Sequence, residues 1–213
     1  MADFLARGAR VSPARQTNPP GVAETLRGVL AQTDEGQITA GTLIESFGSG
    51  GFGLLLILLN LPNVVFAPPA LAGIAAVPTG IFGAQLLLGH SRPWLPVALL
   101  HRSIAAGAVR RVLALSGRGL ERLETIGRPR LEWAAGPWAT RLLGLFSLVS
   151  ALIVLLPVPG TNVLPSLSIV VIATAVMRRD GLLVLVGATV GLAGVLVALL
   201  AAGLLVGVVR WLL

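Results

Sequence analysis

The 213-residue chain has no cysteine, no lysine, two histidines and nine carboxylates, and only 12% of its residues are charged. Without cysteine there are no disulfides and no thiolate metal sites, and the redox compartment leaves no mark on the sequence. His90 and His101 have no carboxylate at ligand spacing, and no Asp or Glu lies inside any apolar run. A metal centre or a paired-carboxylate mechanism therefore has little to stand on, and the sequence predicts a non-enzyme with no metal and no cofactor. The same absence argues against a proton-relay pump, leaving Asp180, directly after Arg178 and Arg179, as an acid placed to titrate at a membrane edge.

What is present is hydrophobic: 55% of the residues are apolar, with a mean hydropathy of +0.88. No charge interrupts Ser46 to Ser91 or Leu142 to Met177, and Gly181 to Val209 is a third apolar run. Each exceeds the roughly 20 residues needed to cross about 30 Å of hydrocarbon. The formal charge of +7 comes from 16 arginines, nine of them between Arg92 and Arg141. Their clustering between apolar runs points to anionic lipid headgroups and a positive-inside bias, not to nucleic acid. The N-terminus has arginines without an apolar core, so it does not read as a secretory signal.

Prolines cut the first two runs open. "LLLILLNLPNVVFAPPALAGIAA" is broken around Pro62, Pro68 and Pro69, and "LPVPGTNVLPS" around Pro157 and Pro165. Unpaired backbone is costly in hydrocarbon and survives only where protein or a wet cavity covers it. The breaks also match: Leu-Pro at 61–62 and 156–157, asparagine at 63 and 162, proline at 69 and 165. Paired, Pro-interrupted segments of this kind resemble transporter inverted repeats, while ordinary hairpin turns would leave the same prolines.

The predicted architecture is all-α and integral to the membrane: two Pro-broken hairpins, re-entrant or barely spanning, at 47–90 and 142–177, joined by an amphipathic linker at 91–141 and followed by a transmembrane helix at 181–209. Residues 1–20 are expected to form a disordered cytosolic tail. Residues 21–46 are expected to form a small cytosolic helical element, with Thr39 capping a helix that carries Leu43, Ile44 and Phe47. In the linker, Leu100, Ile104, Val112 and Leu115 alternate with Arg102, Arg110, Arg111, Arg118 and Arg122 in an interfacial pattern. Trp94, Trp133, Trp138 and Trp211 fall at the ends of apolar runs, where indoles anchor at the headgroup level.

"GSGGFG" at 48–53 fits a dinucleotide fingerprint literally, but no strand precedes it, so it reads as a flexible entry to the membrane. Gly187, Gly191, Gly194, Ala198 and Ala202 form a small-residue stripe for close helix packing, within the chain or in a homo-oligomer. Polar groups at depth are few: Asn60, Asn63, Gln85, Thr161, Asn162 and Ser166. They either satisfy backbone groups freed by the prolines or, with the half-helix ends, bind an ion or phosphate.

"LPN" with Pro68-Pro69, "AQLLLGHSRPWLP" running into "HRSI", "LPVPGTNVLPS" and "RRDGLLVL" together resemble the ExoD family of bacterial membrane proteins associated with exopolysaccharide synthesis, over about residues 24 to 205. The resemblance marks Pro62, Asn63, Gln85, Arg92, Pro93, Trp94, Pro96, Arg102, Asn162, Pro165, Asp180 and Gly181. The chain departs from the pattern at His90 and Ser91, where a more basic run is expected, and at Arg178, where an acid often stands. The implied protein is a multi-pass inner-membrane component with a cytosolic N-terminus, which assists polymer assembly or moves a small anionic or lipid-linked species. The alternative is a non-transporting structural or regulatory partner of the polysaccharide synthesis machinery, with the arginine-rich linker as docking surface. Candidate ligand residues are Asn63, Gln85, Arg92, Arg102, Thr161, Asn162 and Asp180.

Overall fold

The computed structural model describes residues 21–31, 37–47, 50–65, 69–95, 103–127, 130–131, 135–155 and 161–212. The tail at 1–20 and the predicted features at Pro68, Pro96, His101, Arg102, Trp133 and Pro157 lie outside them. The described chain is helical: α1 (Val22–Ala31), α2 (Ala40–Phe47), α3 (Gly51–Val65), α4 (Pro69–Leu87), α5 (Ala106–Ile126), α6 (Pro137–Leu155), α7 (Val163–Arg178) and α8 (Gly181–Leu212). A ribbon not foreseen in the sequence pairs β1 (Gln37–Thr39) antiparallel with β2 (Ser103–Ala105), setting Ile38 opposite Ile104. Strands of three residues carry too little alternation to be legible.

Four helices make the core. α3 packs on α7 and α4 on α6, each more extensively than the helices within either hairpin pack on each other. Small residues set the approach. A Cβ on Gly53 would stand 2.7 Å from the Met177 sulfur; Gly83 and Gly144 abut so closely that a Cβ on either would meet the other's carbonyl oxygen at 2.8 or 2.7 Å. Gly53 against α7 and Gly144 against α4 are equivalent contacts, each made by the first helix of one hairpin on the second helix of the other. Reciprocal contacts of this kind are the mark of a two-fold relation.

The second helix of each hairpin also ends alike. Gly89 takes φ +85° and His90 N–H returns to Gln85 O at 3.0 Å, while Arg179 takes φ +53° and Asp180 N–H returns to Ala175 O at 2.9 Å. These are Schellman-type turns. Glycine fits the left-handed position freely, whereas Arg179 holds it at some cost in backbone energy. One expectation is corrected here. The starts of α3 and α6 share an end of the bundle with the ends of α4 and α7, as Gly51 beside Pro93 and the joint cavity of His90, Pro137 and Arg179 show. The hairpins point the same way, so the relating axis runs along the bundle and the repeat is not inverted.

Two prolines are also reassigned. Pro62 does not break its helix, since α3 continues to Val65; a proline removes one backbone hydrogen bond, and the others hold the helix together. Pro165 lies in the first turn of α7, where no intrahelical partner waits for its missing N–H. Pro69 opens α4. The second piece of the later hairpin is thus 16 residues, longer than the 12 from Ser166 to Met177.

The elements outside this bundle follow from patterning. α5 buries Val109, Leu113, Ser116, Leu120 and Glu124 on one face and exposes Arg110, Arg111, Arg118 and Arg122 on the other. α1 lays Val22, Leu26 and Leu30 against it. Thr39 Oγ1 accepts the Thr42 N–H at 3.2 Å, capping α2. α8 antiparallels α7 through Gly187, Gly191 and Gly194, which face Ile172, Ser168 and Pro165, so the small-residue stripe packs within the chain. α6 and α8 are the described helices long and apolar enough to cross a membrane; the apolar parts of α3, α4 and α7 are shorter.

Candidate functional site

At the end of the bundle where the two breaks fall, the interior turns polar. Asn60 and Asn63 of α3, Thr79 of α4, Ser147 and Ser150 of α6, and Thr161, Asn162 and Ser166 at the start of α7 are all buried. The antiparallel register fixed by Gly53 against Ala173 sets Asn63 level with the first turns of α7. Asn60 Nδ2 donates to Leu56 O at 2.9 Å and to Thr79 Oγ1 at 3.3 Å, joining α3 to α4. Ser147 Oγ donates to Leu143 O at 2.7 Å.

Asn162 Oδ1 and Ser166 Oγ stand apart. Both are buried without a hydrogen-bond partner among the described residues, and Ser166 is wholly inaccessible. They lie one turn apart at the N-terminus of α7, the positive end of its dipole. Most buried polar atoms in folded proteins are paired, so two adjacent orphans need an account. The sequence put Asn162 among the ligand candidates; Ser166 was legible only as a polar residue in an apolar run, and Thr79, Ser147 and Ser150 were passed over among small residues.

The other predicted residues scatter. Gln85 is committed to structure: its Nε2 donates to Trp94 O at 3.0 Å and its Oε1 accepts the Trp94 N–H at 2.7 Å, so one amide clamps the Arg-Pro-Trp turn. Arg92 is exposed on that turn. Asp180 is buried at the opposite end from Asn162 and caps α8, accepting the Leu183 N–H at 3.1 Å, while Gly181 N–H donates to Arg130 O at 2.8 Å. Asn63, Thr161 and Asn162 therefore share the break end, and Gln85, Arg92 and Asp180 sit at the other.

That other end carries a latch the sequence did not suggest. Glu124 of α5 is buried and accepts the Val22 N–H at 2.6 Å, placing a carboxylate at the N-terminus of α1, with Arg178 of α7 at 3.5 Å. Desolvation by burial pushes its carboxyl above the ordinary value, against the opposing pull of the Val22 N–H and of Arg178. One of three glutamates among the linker arginines, Glu124 gave no sign of this, because its partners come from sequence positions about a hundred and fifty residues apart. Among the described residues no group of three His, Asp or Glu is placed to hold a metal.

Residues 22–200 match the family described as "Exopolysaccharide synthesis, ExoD". The chain belongs to the ExoD family. It is 31% identical over 173 residues to Protein ExoD of Rhizobium meliloti (strain 1021), covering 76% of this chain and 70% of that protein. It is 28% identical over 134 residues to uncharacterized protein slr1875 of Synechocystis sp., covering 62% of this chain and 63% of that one. No solved structure matches the chain. The ExoD match takes in α1, both hairpins, α5 and the packed part of α8, so the orphaned pair and the latch both fall inside the family region. Membership links the chain to exopolysaccharide synthesis, and with two helices suited to crossing a membrane it suggests a membrane protein.

Proposed function

We propose that this ExoD-family chain is a multi-pass protein of the bacterial inner membrane that acts in exopolysaccharide synthesis or export without catalysing a reaction, by receiving a small anionic or lipid-linked species in its helix bundle. The observation that carries this is the unpartnered pair Asn162 Oδ1 and Ser166 Oγ in an apolar bundle. Amides and hydroxyls bind and orient, and among the described residues the break end holds no acid–base pair for chemistry. The hairpins are read as re-entrant. Ala198 is the last buried residue of α8, and Gly194 beside Pro165 puts it level with the break end. The 14 residues of α8 that follow add about 21 Å of helix. With Arg210 and Trp211 at the far interface, the breaks lie well inside about 30 Å of hydrocarbon.

A docking role beside a polysaccharide synthase draws support from the exposed arginine face of α5. The two readings separate at the orphaned pair. Asn162→Leu and Ser166→Ala each remove a buried group that nothing in the described chain satisfies, so each should raise the melting temperature or leave it unchanged. If the pair receives a ligand, polymer output falls in cells although the protein is as stable as before. Full polymer output from both variants would remove the ligand reading.

A further inference from the structure

A cavity lies at the end of the bundle opposite the breaks, where α4 and α7 end and α6 begins. Its volume is about 540 Å³, and His90, Gly136, Pro137, Thr140, Arg141 and Arg179 line it. That is within the usual range of small-molecule sites, about 300–1,000 Å³. We propose that this cavity is a binding site for a phosphate group, carried by a lipid headgroup or by a soluble phosphate.

Charge is the first argument. The ion pairs among the described residues are Arg27 with Glu121 and Arg178 with Glu124, and neither Arg141 nor Arg179 takes part. Among the described residues no carboxylate lines the cavity, and Asp180, next in sequence to Arg179, turns its carboxylate to the Leu183 N–H. Two guanidinium groups in one concavity repel each other and focus a positive potential, which a bound anion relieves.

The donor set selects the anion. His90 Nδ1 lies 3.2 Å from Gln85 O, and a carbonyl only accepts, so Nδ1 carries the proton of the neutral ring and Nε2 is left facing a ligand as an acceptor. Two guanidinium forks and the Thr140 hydroxyl offer more donors than the two oxygens of a carboxylate take up and suit the three oxygens of a terminal phosphate, whose protonated form also has an O–H to donate to Nε2. The first turn of α6 adds the positive end of a 19-residue helix. The fold also explains the placing of Arg179: the left-handed turn that ends α7 sets it at the mouth shared with α4 and α6. In sequence His90, Arg141 and Arg179 were three unrelated members of the basic background.

The test uses the full-length chain purified in a neutral detergent, with binding followed by calorimetry for sodium pyrophosphate and by native mass spectrometry for phosphatidic acid. Wild type is expected to bind at least one of them, and the double change Arg141→Gln with Arg179→Gln to weaken that binding about tenfold or more. The matched change Arg110→Gln with Arg111→Gln, on the exposed face of α5, should shift it less than about twofold. Pyrophosphate binding without lipid assigns a soluble source; retention of phosphatidic acid alone assigns a headgroup. Equal losses from both double variants, or binding of neither probe by wild type, would overturn the proposal. If the double variant does not purify, each single change carries the same comparison. Polymer output is not read, so the outcome is independent of the orphaned pair at the other end.

Discussion

Alanine at Gly83 is the sharpest test of the bundle. Its Cβ would lie 2.8 Å from Gly144 O, 2.9 Å from Leu148 N and 2.9 Å from the Ser147 Cβ, where ordinary contact begins near 3.4 Å. Two of these are backbone atoms of α6 and cannot rotate away. Relief requires α4 and α6 to separate by roughly half an ångström, which loosens contacts along two 19-residue helices. Overpacking of this kind costs about 1–3 kcal/mol, and the upper part of that range is expected here because no flexible side chain absorbs it. Against it stands the gain of about 1 kcal/mol that alanine brings over glycine inside a helix. The net loss is about 1–2 kcal/mol.

Gly73 and Gly203 supply the controls, since a Cβ on either meets nothing within 4 Å; alanine there should leave stability unchanged or raise it by up to about 1 kcal/mol. Gly144→Ala should resemble Gly83→Ala, meeting Gly83 O at 2.7 Å and Leu87 N at 2.9 Å. Once one alanine has parted the helices the second meets less, so the double variant should cost less than the sum of the two. Thermal unfolding in detergent measures Gly83→Ala, Gly144→Ala and the double variant against the two controls. If Gly83→Ala melts with Gly73→Ala, or the two interface changes add, the close approach of α4 and α6 is wrong.

Glu124→Ala should destabilise the attachment of α1 to α5 by about 1–3 kcal/mol, leaving the Val22 N–H unpaired and Arg178 without its partner, while Glu124→Gln, which still accepts from Val22, should cost less; proteolysis near Gly21 and thermal melts read both. Because burial raises this carboxyl above its ordinary value of 4.5, the folded state holds the proton more tightly than the unfolded one; its contribution to stability is greatest below pH 4.5 and falls as pH rises through the elevated value, a slope that Glu124→Gln should abolish. Cysteine at position 63 should react slowly with a bulky impermeant thiol reagent and readily with a small permeant one, in keeping with its burial, and fast labelling by the bulky reagent would turn the break into an open loop.

Composition carried the helical class into view, and the apolar pieces flanking the prolines fall on α3, α4, α6 and α7. Reading Pro62 as a break assumed that proline ends a helix; the remaining hydrogen bonds and packing outweighed one lost hydrogen bond, and α3 ran on to Val65. The orientation of the repeat was misjudged because matching breaks report that two segments are alike, not how they face. Gly83 and Gly144 were invisible as partners: a glycine in an apolar run signals close approach without naming what approaches. Asn162 was legible because an amide deep in an apolar run is costly unless used. Arg141 and Arg179 were not, since surface arginines near a membrane are common and only the turn geometry brings these two to one cavity.

The two polar ends constrain what the bundle can receive. Asn162 and Arg179 bracket α7, 17 residues or about 25 Å apart along the helix. Between them the interior is largely apolar: Leu56, Ile57, Phe82, Leu143, Ile169 and Ile172 are buried, with Phe52 and Phe82 edge to face at 6.2 Å, and the buried hydroxyls of Ser147, Ser168 and Thr174 are already committed to Leu143 O, Gly187 O and Val170 O. A free anion crossing from the arginine cavity to the break end would shed its water against that layer with only hydroxyls already bonded to backbone carbonyls to replace it, a cost of many kcal/mol. A molecule with a phosphate at one end and a long apolar body meets no such barrier, since its head can stay with Arg141 and Arg179 while its chain lies along the exposed apolar faces of α4 and α8. For the proposed function this favours a lipid-linked species over a small free anion. It also makes the two ends separable: changes at Arg141 and Arg179 should abolish capture of the head, and changes at Asn162 and Ser166 should leave that capture intact.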